Sequence, residues 1–163
     1  MITAFNLAGF FAAHAIWCVS DSEGLLPMFA YSDENGERKM DRLVIADDME
    51  KSVALGKARL ESNELDATDA ALIYDGRIPI NDQKFDAIII EVRAYFSLAS
   101  KAVMAVPYQP SSQGKFRVFR PKFLQWEGCE DFDINQVVNS FFAGVDAHEN
   151  GAAVWNKSLD QSI

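Results

Sequence analysis

Only two cysteines, two histidines and nine glycines occur among the 163 residues, and each scarcity removes a class of chemistry. Cys18 lies in an apolar run and Cys129 in an acidic loop, a placement that makes no disulfide framework and points to a reducing, cytoplasmic setting. The two cysteines and two histidines would close a zinc site only by converging from distant positions, so no metal is expected. The glycines are scattered, with no phosphate-cradling loop, dinucleotide fingerprint or Gly-x-Ser-x-Gly nucleophile elbow. The carboxylates Asp21-Glu23, Asp33-Glu34 and Asp47-Asp48-Glu50 lack the spacing of a calcium loop. No cofactor is implied.

The histidines themselves read blandly. His14 and Cys18 fall four apart, close enough on a helix for a thiolate-imidazole pair. Their neighbours Ala12, Ala15, Ile16 and Trp17 are apolar, which raises a thiol pKa and favours an inert thiol. His148 falls in the last turn of the final predicted helix, where an imidazolium would face C-terminal carbonyls. No catalytic residue is assigned, and the chain reads as non-enzymatic.

Basic charge is the next shortage: 15 Lys and Arg against 24 Asp and Glu, a formal net charge of −9 and a pI near 4.6. Such a chain repels phosphate polymers and anionic bilayers, so nucleic acid is an unlikely partner and no membrane association is expected. The first basic residue is Arg38, so the apolar stretch Leu7 to Val19 lacks the positive flank of a signal peptide, and it is too short to span a bilayer. It reads as a core helix, capped by Thr3 or Asn6, with Phe5, Ala8, Ala12, Ala15, Ile16 and Val19 near helical spacing. Phe10, Phe11 and Trp17 widen the stripe. A helix so broadly apolar is covered on more than one side or docks on a second copy, so a homodimer through it is an expectation.

What is present suffices for one domain over residues 1–163, since a chain of this length buries about 70% of its unfolded surface. Leu26 to Tyr31 and Lys39 to Ile45 flank Asn35-Gly36, a hairpin signal. Asp47 with Glu50 forms a capping box that opens a helix to about Ser62. Ala70 to Tyr74 and Arg77 to Ile80 read as short strands separated by a turn at Asp75-Gly76, with a second turn at Asn81-Asp82. Ala87 to Phe96, Ala102 to Tyr108 and Lys115 to Trp126 form a meander, with an edge or bulge at Pro121. Asp133 with Gln136 caps a helix that ends near Gly151, and Asn156 to Ile163 is expected to fray. The fold class is α+β, an antiparallel sheet of about five to six strands with the helices mainly on one face.

The sharpest local absence is of acid. The 35 residues from Val92 to Trp126 hold six basic side chains and no acidic one, so the remainder carries −15. Strand alternation sets Ile88, Ile90, Val92, Ala94 and Phe96 on the core face and Ile89, Glu91, Arg93 and Tyr95 on the other. With Phe116 and Val118 inward, Lys115, Arg117 and Phe119 join Arg93 and Tyr95, while Arg120 and Lys122 bracket the proline. These seven residues, Arg93, Tyr95, Lys115, Arg117, Phe119, Arg120 and Lys122, are the candidate binding residues. They suit three roles: steering and anchoring an acidic protein partner, holding an anion, or pairing with the chain's own carboxylates at no more than about 1 kcal/mol for each exposed pair. In size, charge and element order the chain resembles secretion chaperones and toxin-immunity proteins, although no motif carries the likeness. The leading expectation is a non-enzymatic domain that binds a protein partner. The alternative is an anion- or phosphate-binding protein or enzyme whose Arg93, Arg117 and Arg120 hold a phosphate or carboxylate.

Overall fold

A computed structural model describes residues 1–97 and 100–163. Helix α1 spans Ile2–Ser20 and is followed by strands β1 (Met28–Ser32) and β2 (Arg38–Arg42) and helix α2 (Met49–Ser62). The long strands β3 (Asp69–Ile80), β4 (Gln83–Ala94) and β5 (Lys101–Gln109) come next, then the short β6 (Arg117–Phe119) and β7 (Lys122–Glu127). Helices α3 (Ile134–Ala147) and α4 (Glu149–Ser158) precede a final two-residue strand, β8 (Leu159–Asp160).

The architecture is α+β, with four α-helices among the described residues and a single sheet in the order β2-β1-β3-β4-β5-β6-β8. Strand β7 shares the β5 edge with β6. Two features depart from an antiparallel sheet of five or six strands. Pro121 has no N–H to give a ladder, so the expected last strand divides: β7 pairs with Lys101–Ala105 and β6 with Tyr108 and Gln109 of β5, and the β7 register shifts at Val103/Met104. The C-terminal residues then add β8 parallel to β6, Val118 facing Leu159 and Phe119 facing Asp160, which makes the sheet mixed and eight-stranded. The segment expected to fray therefore completes α4 and a strand.

The turn expected at Asp75-Gly76 is absent, and β3 runs through it, paired Asp75 to Ile88 and Gly76 to Ala87. The chain reverses at Asn81 and Asp82, both at positive φ (49° and 66°), the conformation of a tight two-residue hairpin. Gly36 (φ 76°) makes the first hairpin as anticipated, with the Asp33 carboxylate accepting from the N–H groups of Asn35 and Glu37 at 2.9 Å. Helix α2 starts one residue later than its capping box implied. Asp47 takes a left-handed φ of 57°, and Asp48 caps by accepting from the Lys51 N–H at 3.0 Å.

Helix α1 lies between the sheet and the pair α3-α4, and this explains its broad apolar circumference. One side meets Ala30, Ala71, Ile73, Ile88 and Ile90; the other meets Val137, Phe141 and Val145. The approach to α3 is backbone to backbone: a Cβ on Gly9 would enter the Phe141 carbonyl, and one on Gly144 the Asn6 carbonyl. At 19 residues α1 exceeds the Leu7–Val19 run and is by length and composition long and apolar enough to cross a membrane, contrary to the length argument above. In this structure 61% of its apolar window is buried inside the fold. Helix α2 sits on the opposite sheet face, where Leu60 packs with Phe29, Ala70 and Leu72. Three helices on one face and one on the other refine the expectation of a mainly one-sided arrangement.

Candidate functional site

Of the candidate residues, Arg93, Arg117, Phe119 and Lys122 lie on strands, Tyr95, Lys115 and Arg120 lie outside them, and pairing separates the group. Arg93 lies one residue past the last β4-β5 pair, Val92 with Ala102, whereas Arg117 lies opposite Gln109, seven residues along β5 from Ala102 and so eight from the level of Arg93. At about 3.3 Å per residue that is roughly 26 Å. At the first end, Arg93 donates to the Glu61 carboxylate at 2.9 Å and Lys101 approaches the same oxygen at 3.8 Å, so α2 supplies the acid that the meander lacks. Beside them the Tyr95 hydroxyl donates to the Leu60 carbonyl at 2.8 Å, and burial lifts its pKa to about 12. At the other end Arg117 pairs with Asp160 at 3.0 Å, and Phe119 is buried against Phe85 in an edge-to-face contact. Lys115 is exposed, and its carbonyl accepts from the Gln109 side chain.

Arg120 differs from the other two arginines. Its Nε donates to the Ile163 carbonyl at 2.9 Å, and it makes no ion pair among the described residues. Lys122 beside it is half-buried; desolvation, with a lesser push from the Arg120 charge, lowers its pKa. The break at Pro121 thus turns Arg120 out of the strand ladder beside Ile163, whereas Lys122 pairs opposite Ala105 on β5.

Arg120 lines an apolar pocket of about 530 Å³ between α3, α4 and the β6-β7 break. Met104, Phe141 and Trp155, each almost fully buried, contribute to its lining together with Phe123, Val138 and Phe142. Phe141, Phe142 and Trp155 meet mutually edge to face with centroids 5.4–6.2 Å apart, which holds the rings in fixed orientations. Arg120, Asp146, Asn156 and Gln161 supply the polar groups of the pocket, and Leu159 is partly exposed beside them. Its size and its apolar lining with a few polar groups are those of small-molecule or side-chain sites. Sequence reading found Arg120 and Lys122 but missed this concavity, because its lining comes from α3, α4, β5 and β7 and no periodicity reports how separate elements converge.

Two polar clusters lie elsewhere. The Tyr108 hydroxyl donates to both oxygens of Asp75, at 2.9 and 3.0 Å; burial raises the Asp75 pKa, partly opposed by that hydrogen bond, and burial beside Asp75 raises the Tyr108 pKa. The second is the pair of histidines, His14 Nδ1 and His148 Nε2, 3.0 Å apart. His148 is at once the C-cap of α3, its backbone N–H donating to the Val145 carbonyl, and the N-cap of α4, its Nδ1 accepting the Gly151 N–H at 2.9 Å. Cys18 is half-buried with its pKa raised by desolvation, and no group of three or more metal-ligating side chains occurs among the described residues. Compared with protein-family models, curated proteins and solved structures, the chain matches none.

Proposed function

We propose that the protein is a non-enzymatic binding domain that receives an apolar side chain of an acidic partner protein in the pocket between α3, α4 and the β6-β7 break. The observation that carries this reading is the coincidence of the aromatic-lined pocket with Arg120, the candidate arginine whose partner is a main-chain oxygen of Ile163 rather than a side-chain carboxylate. Burying a Leu or Phe side chain contributes about 1.5–3 kcal/mol, too little alone for a stable complex, so the partner must also engage the rim. Arg120 at the pocket lining suits a carboxylate flanking the inserted residue. A cytoplasmic partner fits the cysteine usage.

Selection of displayed random peptides on the full chain tests the reading. Enriched sequences are expected to share one bulky apolar residue flanked by Asp or Glu, and to lose binding at least tenfold to Arg120→Glu and to the pocket-filling Val138→Trp. Peptides without that pattern, or peptides bound equally by both variants, would overturn it.

A further inference from the structure

The chain's only two histidines lie 134 positions apart in sequence and meet in space, and the hydrogen bonds around them determine where each proton sits. The Gly151 N–H donates to His148 Nδ1, so that nitrogen carries no proton and the neutral ring is protonated at Nε2. His148 Nε2–H therefore donates to His14 Nδ1, which must be bare. The His14 proton is then on Nε2, a buried atom with no hydrogen-bond partner. A proton added to His14 Nδ1 would confront the His148 N–H, and one added to His148 Nδ1 would confront the Gly151 N–H. Neither ring accepts a charge without breaking a hydrogen bond of the α1-α4 junction.

The surroundings reinforce this. Aromatic rings enclose the pair: Phe10 at 4.9 Å from His148, and Trp17 at 5.8 Å from each imidazole, centroid to centroid. The groups facing it offer no counter-charge. Cys18 lies one turn along α1, Arg42 from β2 disfavours a charged His14, and Arg38 from the other end of β2 stacks on the Phe10 ring at 4.4 Å. From the α3-α4 side, Asp146 and Glu149 are exposed, and neither histidine forms an ion pair among the described residues. The junction is tight, for a Cβ on Gly151 would press into the Ala13 carbonyl of α1.

We propose that His14 and His148 form a proton-sensitive clasp that holds α4 against α1 while both rings are neutral and releases it when either ring is protonated. Desolvation lowers both pKa values, the direction required of rings that the folded state keeps uncharged. Because the unfolded or undocked rings titrate near 6.5, docking is complete above that pH. It is lost as pH falls below 6.5 toward the depressed folded values, at up to about tenfold per pH unit for each ring.

Long-range proton-nitrogen NMR on the wild-type protein at pH 7.5 reads the tautomers directly; both rings are expected in the Nε2–H form. Amide exchange in α4, corrected for the intrinsic pH dependence, is expected to lose protection at least tenfold between pH 7 and 5.5. His148→Asn keeps an acceptor for the Gly151 N–H and cannot titrate in this range, so its residual pH response should be smaller. An Nδ1–H tautomer at either ring, unchanged wild-type protection across that interval, or a His148→Asn response equal to wild type would each overturn the clasp.

Discussion

Gly144→Ala should destabilise this protein, although the same change in an ordinary helix interior stabilises by about 1 kcal/mol. The sign reverses because α3 meets α1 through main chain. The new Cβ would fall inside the Asn6 carbonyl and also crowd the Phe10 nitrogen, neither of which can rotate away as a side chain does. The helices would have to part by more than about 1 Å, and a gap of that size forfeits a quarter to a half of each dispersion well along the seam. Overpacking of this kind costs about 1–3 kcal/mol, and rigid backbone on both sides places it near the upper figure. Net of the propensity gain, about 2 kcal/mol of stability should be lost, a fall in Tm of about 4–8 °C for a chain of this length. Urea unfolding followed by circular dichroism and tryptophan fluorescence measures it. Gly24→Ala is the internal control: its Cβ meets nothing within 4 Å, and it should shift stability by less than about 0.5 kcal/mol. Gly9→Ala strikes the same seam from α1, so the double variant should lose less than the sum of the singles, the helices having already separated. A Gly144→Ala protein as stable as wild type would refute the backbone contact and the packing scheme built on it.

Asp48→Ala removes the side-chain acceptor for the Lys51 N–H and should cost about 1 kcal/mol in the same assay, whereas Asp47→Ala, outside the helix, should cost less. Asp75 gives a pH test. Its folded pKa is raised, chiefly by burial, so stability is lost as pH rises from the unfolded value of about 3.8 to the higher folded one and is level above it, and Asp75→Asn should gain stability relative to wild type as pH rises from 4. A difference that stays constant as pH rises would refute the assignment. Tyr108→Phe removes the phenol donor to the Asp75 carboxylate, which is exposed enough for water to replace it, and should cost about 0.5–1.5 kcal/mol near neutral pH, measured by urea unfolding.

Local signals were readable where one residue suffices to direct the chain. Asn35-Gly36 and Asn81-Asp82 announce turns through the positive φ they tolerate, Asp133 announces the start of α3, and two-residue alternation assigns the faces of β4 as far as Ala94, where the strand ends; Phe96, expected on the core face, lies beyond it and is 67% exposed. Asp75-Gly76 carries the same local signal as a turn yet stays extended, because twelve cross-strand pairs with β4 outweigh a dipeptide preference and Gly76 leaves room for the Ile89 side chain. The pairing of β8 with β6 and the meeting of His14 with His148 depend on contacts made across much of the chain, which no window of sequence contains. Gly144 did hold a legible hint: a glycine inside an otherwise apolar helical stripe marks a close approach, here to the Ala-rich α1. For the candidate residues, composition exposed the shortage of acid between Val92 and Trp126, but the acids that answer it, Glu61 and Asp160, come from outside the stretch.

The burial of α1 also has a consequence for how the protein is made. Its outer cover is α3, which begins 114 residues after α1 ends. At synthesis rates of about 5–20 residues per second, the apolar helix emerges roughly 6–23 s before the element that shields it exists. During that interval no arrangement of the preceding residues supplies the Gly9-Gly144 seam. Folding of the domain must therefore await late sequence, with the slow kinetics of long-range closure, and the nascent chain leaves that face of α1 uncovered until α3 is made.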